Sequence, residues 1–592
     1  MENVKLFEKN MKFLYSHLPH YYNLVASIKS RRFLIKSNNI LDTKLNQFVY
    51  PNSIYEDSEK LAFYPTHNKL WQKDFAFIKP KKWDENKFYI TGKIINEMIN
   101  KYEKLNHTNG FYFDKNFLPT TIIYGLLSGY HLEILARNFE FQSLLVYEPN
   151  EEFFAISLYF VDYEKLYKKL GERFFIQVGG KLDERMVEKF LYERVITSTF
   201  LQLSLTTYNH PLIEDAKNSF LNLSLAKLRG WGTYEDEIIG IKNHFENINR
   251  YKLLRKKVNL NIPVCVVGSG KSLEKSFKFL KENQDSMIII SVGTALKPLM
   301  SEGIKSDFHI EQERIEILID ALKDVLPKYN GYFIGASVVN PKIFKMAKNP
   351  LMYIRSGFTF EKFYDTPLKL TSPLVGNAGV AIASMFTKEI YLVGMDLGFR
   401  IGERVHSKNS FYDKKKDIQK SALKVQGNFS EDIYTNSLFL TSKENIEKLI
   451  QKENLKVYNL SDGAFIKGSI PLEYKKLPKI NKKETIDKIL SLFEDTNFQT
   501  PDVNPHKLLL AISKALEKTP KNYKELTGLI DFLEDLIKGY ALKDEAGYNL
   551  VKGSLWHILF NLYVLSHKIS LKDFNKLAKI IKKEIFKLNF EY

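Results

Sequence analysis

Hydrophobic and polar positions follow three different rhythms along this chain, and each predicts a different architecture. From residue 1 to about 110, short helical patterns mix with aromatic-rich stretches and carry no chemistry, so this part reads as an N-terminal appendage. From Leu118 an apolar run to Tyr124 is followed by Gly125 and Gly129, a helical stretch, and a second apolar run, SLLVYEP, closing on Glu148. That order predicts strand, glycine turn, helix, strand, and alternation to about Ser224 completes an α/β domain over 111–258, with a helical connector at its end. At Asn261 the pattern restarts as IPVCVVGSGKSLEKSFKFL, a strand, a glycine turn and a helix with Leu273, Phe277 and Leu280 at helical spacing. MIIISVG, DFHIEQE, YFIGAS and EIYLVGMDLGF repeat the strand pattern, mostly with helices between them, which predicts a largely parallel, doubly wound sheet over 259–478. Beyond Leu477 the rhythm becomes amphipathic helix alone, as in HKLLLAISKAL and SLWHILFNLYVLSHKI, and 479–592 reads as a helical domain. The expected fold is α/β: a central Rossmann-like domain, a second α/β domain before it, and a C-terminal helical bundle.

Composition narrows the function without naming it. With 44% hydrophobic and 26% charged residues and 19 prolines in 592, the chain folds, and its length calls for about three domains. The net charge of +18 is spread along the chain, with no basic stripe interleaved with aromatics, so nucleic acid is not the expected partner. A phosphorylated donor would benefit from that field, as would peripheral contact with an anionic inner membrane. The single cysteine, Cys265, lies inside an apolar strand and forms no internal disulfide, which fits a reducing compartment. Without a secretory leader or an apolar run of bilayer length, the expected location is cytoplasmic.

The glycine turn after the first central strand is the strongest chemical signal. Gly268 and Gly270 free the backbone where the chain reverses, and the helix start after them offers N–H groups to a phosphate. A P-loop is excluded, because its first glycine would fall on Cys265. Ligands of such sheets collect at the carboxyl ends of the strands, where Gly268, Thr294, Glu311 and Asp396 converge. A G-x-G turn alone is as compatible with a tight structural reversal as with a ligand. In the earlier α/β domain, Glu148 ends its strand where ribose recognition would need an acid. Leu126 and Leu127, however, occupy places that close approach to a cofactor reserves for small residues.

Seven stretches extend this reading: GSGKSL from Gly268, SVGTALKPL from Ser291, GIKSDFHIE from Gly303, VGNAGVAIAS from Val375, KEIYLVGMDLGF from Lys388, HSKN from His406 and NLSDGAFIKGSIPL from Asn459. In this order the chain resembles the motility accessory factors that glycosylate flagellin, whose central domain is similar to bacterial sialyltransferases. The resemblance implies transfer of a nonulosonic acid, pseudaminic or legionaminic acid, from its CMP donor to serine or threonine of flagellin. It implies flagellin as the acceptor, with peripheral contact to the flagellar export machinery. Because no Asp-x-Asp pair follows a strand of the central domain, the donor is expected to bind without a metal, and no cofactor is expected. It places Gly268, Ser269, Gly270, Ser272, Gly293, Thr294, Asn377, Gly379 and Ser461 at the donor beside Glu311 and Asp396, and makes His406 the catalytic base. Two departures stand out: Ser269 replaces a usual asparagine, and the tyrosine pair expected after Asp396 is missing, which leaves Arg400 and Arg404 to steady the departing phosphate. Two other functions remain open. A 6-hydroxymethylpterin pyrophosphokinase would use Glu311, Glu313 and Asp396 for magnesium, and a non-catalytic flagellin-binding factor would need no chemistry.

Overall fold

A computed structural model describes residues 2–63, 72–77, 79–413, 422–501 and 503–589. Its contacts divide the chain into two compact units, Met1–Glu235 with Asn504–Tyr592, and Asp236–Val503.

The first unit is built on a five-stranded sheet of β1 (Gln72–Phe77), β2 (Thr120–Tyr124), β3 (Leu144–Glu148), β4 (Phe174–Val178) and β5 (Leu201–Thr206), ordered β1-β5-β2-β3-β4. All pairs are parallel except β1 with β5. Every residue of TTIIY and LLVYE is buried, as parallel strands covered on both faces require. The turn after β2 is filled by protein: a Cβ on Gly125, which has φ +91°, would stand 2.2 Å from Thr207 Oγ1. The Glu148 carboxylate accepts from the Leu126 N–H at 2.5 Å, the Asn150 N–H at 2.7 Å and the Tyr208 hydroxyl. Burial pushes its pKa up to about 7. Glu148 thus ties the turn to the strand end, and the structural reading of this acid prevails over ribose binding. Helix α1 (Thr91–Glu103) starts on a second buried carboxylate, Glu235, which accepts from the N–H groups of Ile90 and Thr91 at 2.9 and 2.7 Å.

The second unit carries ten strands: β6 (Leu253–Leu254), β7 (Leu260–Val267), β8 (Ile288–Val292), β9 (Phe308–Glu311), β10 (Tyr332–Ala336), β11 (Pro350–Tyr353), β12 (Thr387–Val393), β13 (Lys456–Asn459), β14 (Ser469–Pro471) and β15 (Phe493–Glu494). They lie in the order β14-β13-β12-β7-β8-β9-β10-β11-β6-β15, parallel throughout except for the last pair. Going from β7, the chain winds outward through β8 to β11, then returns to lay β12 on the other side of β7. The switch point therefore falls between β7 and β12, where open α/β sheets bind ligands. Helix α2 (Val375–Phe386), VGNAGVAIASMF, covers this centre, and its small residues allow a close approach: a Cβ on Gly379 would stand 2.5 Å from Val292 Cγ1. Helix α3 (Ser437–Glu453) packs against α2.

The C-terminal helices α4 (Tyr523–Tyr540) and α5 (Glu545–Ser566) pack on each other, as expected of a helical bundle, and belong to the first unit. Glu534 of α4, fully buried, accepts from the N–H groups of Val195 and Ile196 at 2.7 and 3.0 Å. On α5, Ser554 meets Thr91 of α1, with their hydroxyls 2.6 Å apart. The compact units therefore cut across the four consecutive segments expected from the sequence. Among the described residues no helix is long and apolar enough to cross a membrane.

Candidate functional site

Strand β7 delivers Gly268 to the switch point, and glycine is needed there because two backbones touch. A Cβ on Gly268 would lie 2.6 Å from the Gly394 carbonyl oxygen, and one on Gly394 (φ +62°) would lie 2.4 Å from the Gly268 oxygen. A Cβ on Gly270 would fall 2.4 Å from Asp396 Cγ. The N–H groups of the turn are consumed within the protein. Gly270 donates to Gly394 O at 2.8 Å, Lys271 to Val405 O at 3.1 Å, Ser272 to Asp396 Oδ2 at 2.9 Å and Leu273 to Gly270 O at 3.0 Å. The expected cradle of free N–H groups for phosphate is absent at these four positions. The turn serves instead to lock β7 against the end of β12.

A short antiparallel pairing then brings in the loop after β12. Gly270 bridges His406, and Ser407 N–H donates to Ser269 O at 2.9 Å. This places His406 Nδ1 3.3 Å from Ser269 Oγ, while Thr294 Oγ1, just beyond β8, donates to the same Ser269 Oγ at 2.8 Å. Asp396 is 7% exposed, accepts from the Ser272 hydroxyl as well as its N–H, and is pushed up to about 6 by burial. At the end of β9, Glu311 is also buried and its pKa raised by desolvation, its Oε1 3.4 Å from His309 Nε2.

Gly268, Ser269, Gly270, Gly293, Thr294, Glu311, Asp396 and His406 all line one cavity of about 280 Å³. Its lining is largely apolar and includes Ile315, Ile317, Leu318, Leu374, Val375 and Phe439. Its charged lining, among the described residues, is acidic: Glu311, Glu313 and Asp396, with no lysine or arginine.

The other residues expected at the donor are not in that lining, and each has a structural task. Ser272 supports Asp396 from behind. Asn377 clamps α2 to α3, accepting from Ser442 Oγ at 2.7 Å and donating to Ser442 O at 2.8 Å. Gly379 is the helix–sheet contact described above. Ser461 Oγ accepts from Met395 N–H at 2.9 Å and so fixes the end of β12. Arg400 donates to Asp462 at 3.0 Å and to Ser430 at 2.6 Å. Burial would raise Asp462, but hydrogen bonds from Lys275, Ser430 and Arg400 hold it at about 2. Arg404 pairs with Glu274 at 3.1 Å. Both arginines thus brace the loop that carries His406. Sequence reasoning missed Tyr412, whose ring lies 5.8 Å from that of His406, and the wall from Ile315 to Leu318. The aromatic pair in NSFYD and the short amphipathic ERIEILIDAL were the available signals; for Phe439 there was none.

A doubly wound parallel sheet with a ligand cavity at its switch point defines the class: a Rossmann-type protein. Residues 6–224 match the model of the glycosyltransferase Maf N-terminal domain, and residues 240–402 match the 6-hydroxymethylpterin diphosphokinase MptE-like model. The solved structure of a Maf glycosyltransferase from Magnetospirillum magneticum AMB-1 is similar over 99% of this chain and 95% of that one, with a TM-score of 0.72 at 20% identity. No curated protein matches the chain. Residues 6–224 thus carry the mark of a Maf glycosyltransferase N-terminal domain, and the chain as a whole has the fold of that solved Maf glycosyltransferase.

Proposed function

We propose that the enzyme moves a nonulosonic acid, pseudaminic or legionaminic acid, from its CMP donor to serine or threonine of flagellin in the cytoplasm, without a metal or cofactor, and that His406 is the base. The observation that carries this reading is the placement of an imidazole inside the cavity at the switch point, hydrogen-bonded through Nδ1 to Ser269. A serine or threonine hydroxyl is a poor nucleophile at neutral pH. A base that takes its proton as the anomeric carbon loses the phosphate therefore lowers the barrier. The largely apolar lining, with a few polar side chains among it, suits a nucleobase. The test is incubation with flagellin and CMP-nonulosonic acid, followed by the flagellin mass. The mass rises by one sugar with the wild-type enzyme, and transfer falls by about 10²-fold with His406→Ala. Transfer at the unmutated rate by that variant would remove His406 from the mechanism.

The MptE-like match favours a second reading, a pyrophosphokinase that would hold its nucleotide through magnesium, although among the described residues no three acidic or histidine side chains are grouped to hold a metal ion. CMP titrated with and without chelator separates the two. Equal affinity supports the sugar transferase, and loss of binding in chelator supports the phosphotransferase.

A further inference from the structure

We infer that a cleft in the first unit, lined by Gln142 and Arg173 together with Thr527 and Asp531 of α4, binds a small carboxylate that also carries an acylamino group. The cleft has a volume of about 350 Å³, the size of an ordinary small-molecule site. The sheet explains how its two central residues meet. Gln142 stands two residues before β3 and Arg173 directly before β4, and these neighbouring parallel strands pair Leu144 with Phe174. Their amino ends therefore bring both residues together, and Arg173 Nη1 donates to the Gln142 carbonyl oxygen at 2.9 Å. Such sheets usually collect ligands at the opposite edge, so the fold by itself assigns nothing to this one.

Two groups in the cleft lack what their chemistry demands. Gln142 is 1% exposed, and neither its amide nitrogen nor its amide oxygen has a hydrogen-bond partner. A buried amide in that state carries its full desolvation cost, and native structures rarely leave one. Arg173 is half-buried and uses one N–H on a neutral carbonyl, and among the described residues no carboxylate pairs with it. Its planar fork of five donors matches a carboxylate. The other charged groups of the lining are engaged. Lys524 meets Glu140 at 2.5 Å, Lys169 donates to the carbonyl oxygens of Ala136 and Phe139 at 3.1 and 2.9 Å, and Asp531 accepts from the Thr197 hydroxyl at 2.8 Å. Glu140 and Asp531 stand near enough to feel the Arg173 charge without pairing with it. Against these two acids the lining sets Lys169, Arg173 and Lys524, so its net charge favours an anion. The ligand's carboxylate takes the remaining N–H groups of Arg173. Gln142 then offers one donor and one acceptor, which an acylamino group answers with its C=O and its N–H. Because Arg173 reaches the backbone of Gln142 itself, the two ligand groups lie about one side-chain length apart. An N-acylamino acid, as at a peptide end, and an N-acylated sugar acid both meet this condition.

The experiment is ligand-observed NMR titration of the full-length protein with one probe from each source, N-acetylglycine and N-acetylneuraminic acid. Acetate and N-acetylmannosamine, which each keep only one of the two groups, serve as fragments. At least one whole probe is expected to bind about 10-fold or more tighter than either fragment. Binding of N-acetylglycine alone assigns the cleft to a peptide end, and binding of N-acetylneuraminic acid alone assigns it to a sugar acid. Gln142→Met, which exchanges the amide for an apolar chain of similar length, and Arg173→Lys, which keeps the charge and loses the fork, should each weaken binding by about 10-fold or more. The binding counted is the part that Gln142→Met removes, which keeps occupancy of the cavity in the second unit out of the result. Circular dichroism monitors folding, and Gln142→Met should unfold at the wild-type temperature or above, because the amide it removes has no partner. If Arg173→Lys fails to fold, Gln142→Met carries the test alone. Failure of both probes to bind, binding no tighter than that of a fragment, or binding unchanged in Gln142→Met would overturn the inference. So would a Gln142→Met midpoint lowered by several degrees, since the amide would then already be satisfied by buried water.

Discussion

Replacing Gly270 by alanine tests the conclusion that the glycine turn exists for packing. The added Cβ would lie 2.4 Å from Asp396 Cγ and 2.7 Å from both its carboxylate oxygens. Asp396 cannot swing away freely. It is buried, it holds two hydrogen bonds from Ser272, and its backbone is pressed by Gly463, where a Cβ would stand 2.0 Å from the Asp396 carbonyl oxygen. Overpacking of this kind costs about 1–3 kcal/mol. Displacing the carboxylate adds about 1.5–3 kcal/mol for a hydrogen bond to a charged group. The expected loss is therefore about 2.5–6 kcal/mol, a large part of the roughly 5–15 kcal/mol that holds a domain folded. Urea titration of wild type and Gly270→Ala, followed by tryptophan fluorescence and circular dichroism, measures it. Gly303→Ala, whose added Cβ meets nothing within 4 Å although its φ is +70°, isolates the backbone contribution. A Gly270→Ala loss below about 1 kcal/mol, or no larger than that of Gly303→Ala, would refute the steric argument.

Asp396 makes the second unit pH-sensitive in a definite direction. Its folded pKa of about 6 lies above the ordinary 3.8, so the native state holds the proton more tightly and stability falls as pH rises from about 4 to about 6. The shift corresponds to about 3 kcal/mol, and Asp396→Asn should flatten the pH dependence by that order; an unchanged slope in denaturant midpoints at pH 4 and 7 would count against it. Glu534→Ala leaves the N–H groups of Val195 and Ile196 buried without acceptors and should cost about 2–5 kcal/mol in thermal or chemical unfolding. A neutral outcome there would mean that α4 does not hold the first unit together.

The local pattern of the chain determined the strands, the turns and the edge at which a ligand would gather. Apolar runs flanked by glycine need no distant information to be read as buried strands, and a parallel sheet puts all its carboxyl ends on one side. Gly268, Thr294, Glu311 and Asp396 therefore line a common cavity, and the motif HSKN led to His406. Tertiary structure alone decided which of the other residues face it. Arginines in a polar loop look the same in sequence whether they await a phosphate or are already paired. Arg400 meets Asp462 62 residues later, and Arg404 meets Glu274 130 residues earlier. Glycines likewise look the same whether they expose N–H groups or admit a second backbone, and only the approach of β12 to β7 shows that here they do the latter. The largest revision, the joining of the C-terminal helices to the N-terminal unit, depends on Glu534 meeting Val195 across 339 residues. Amphipathic periodicity says that a helix has a face to bury, but the surface that buries it is chosen by contacts that leave no mark in the local sequence.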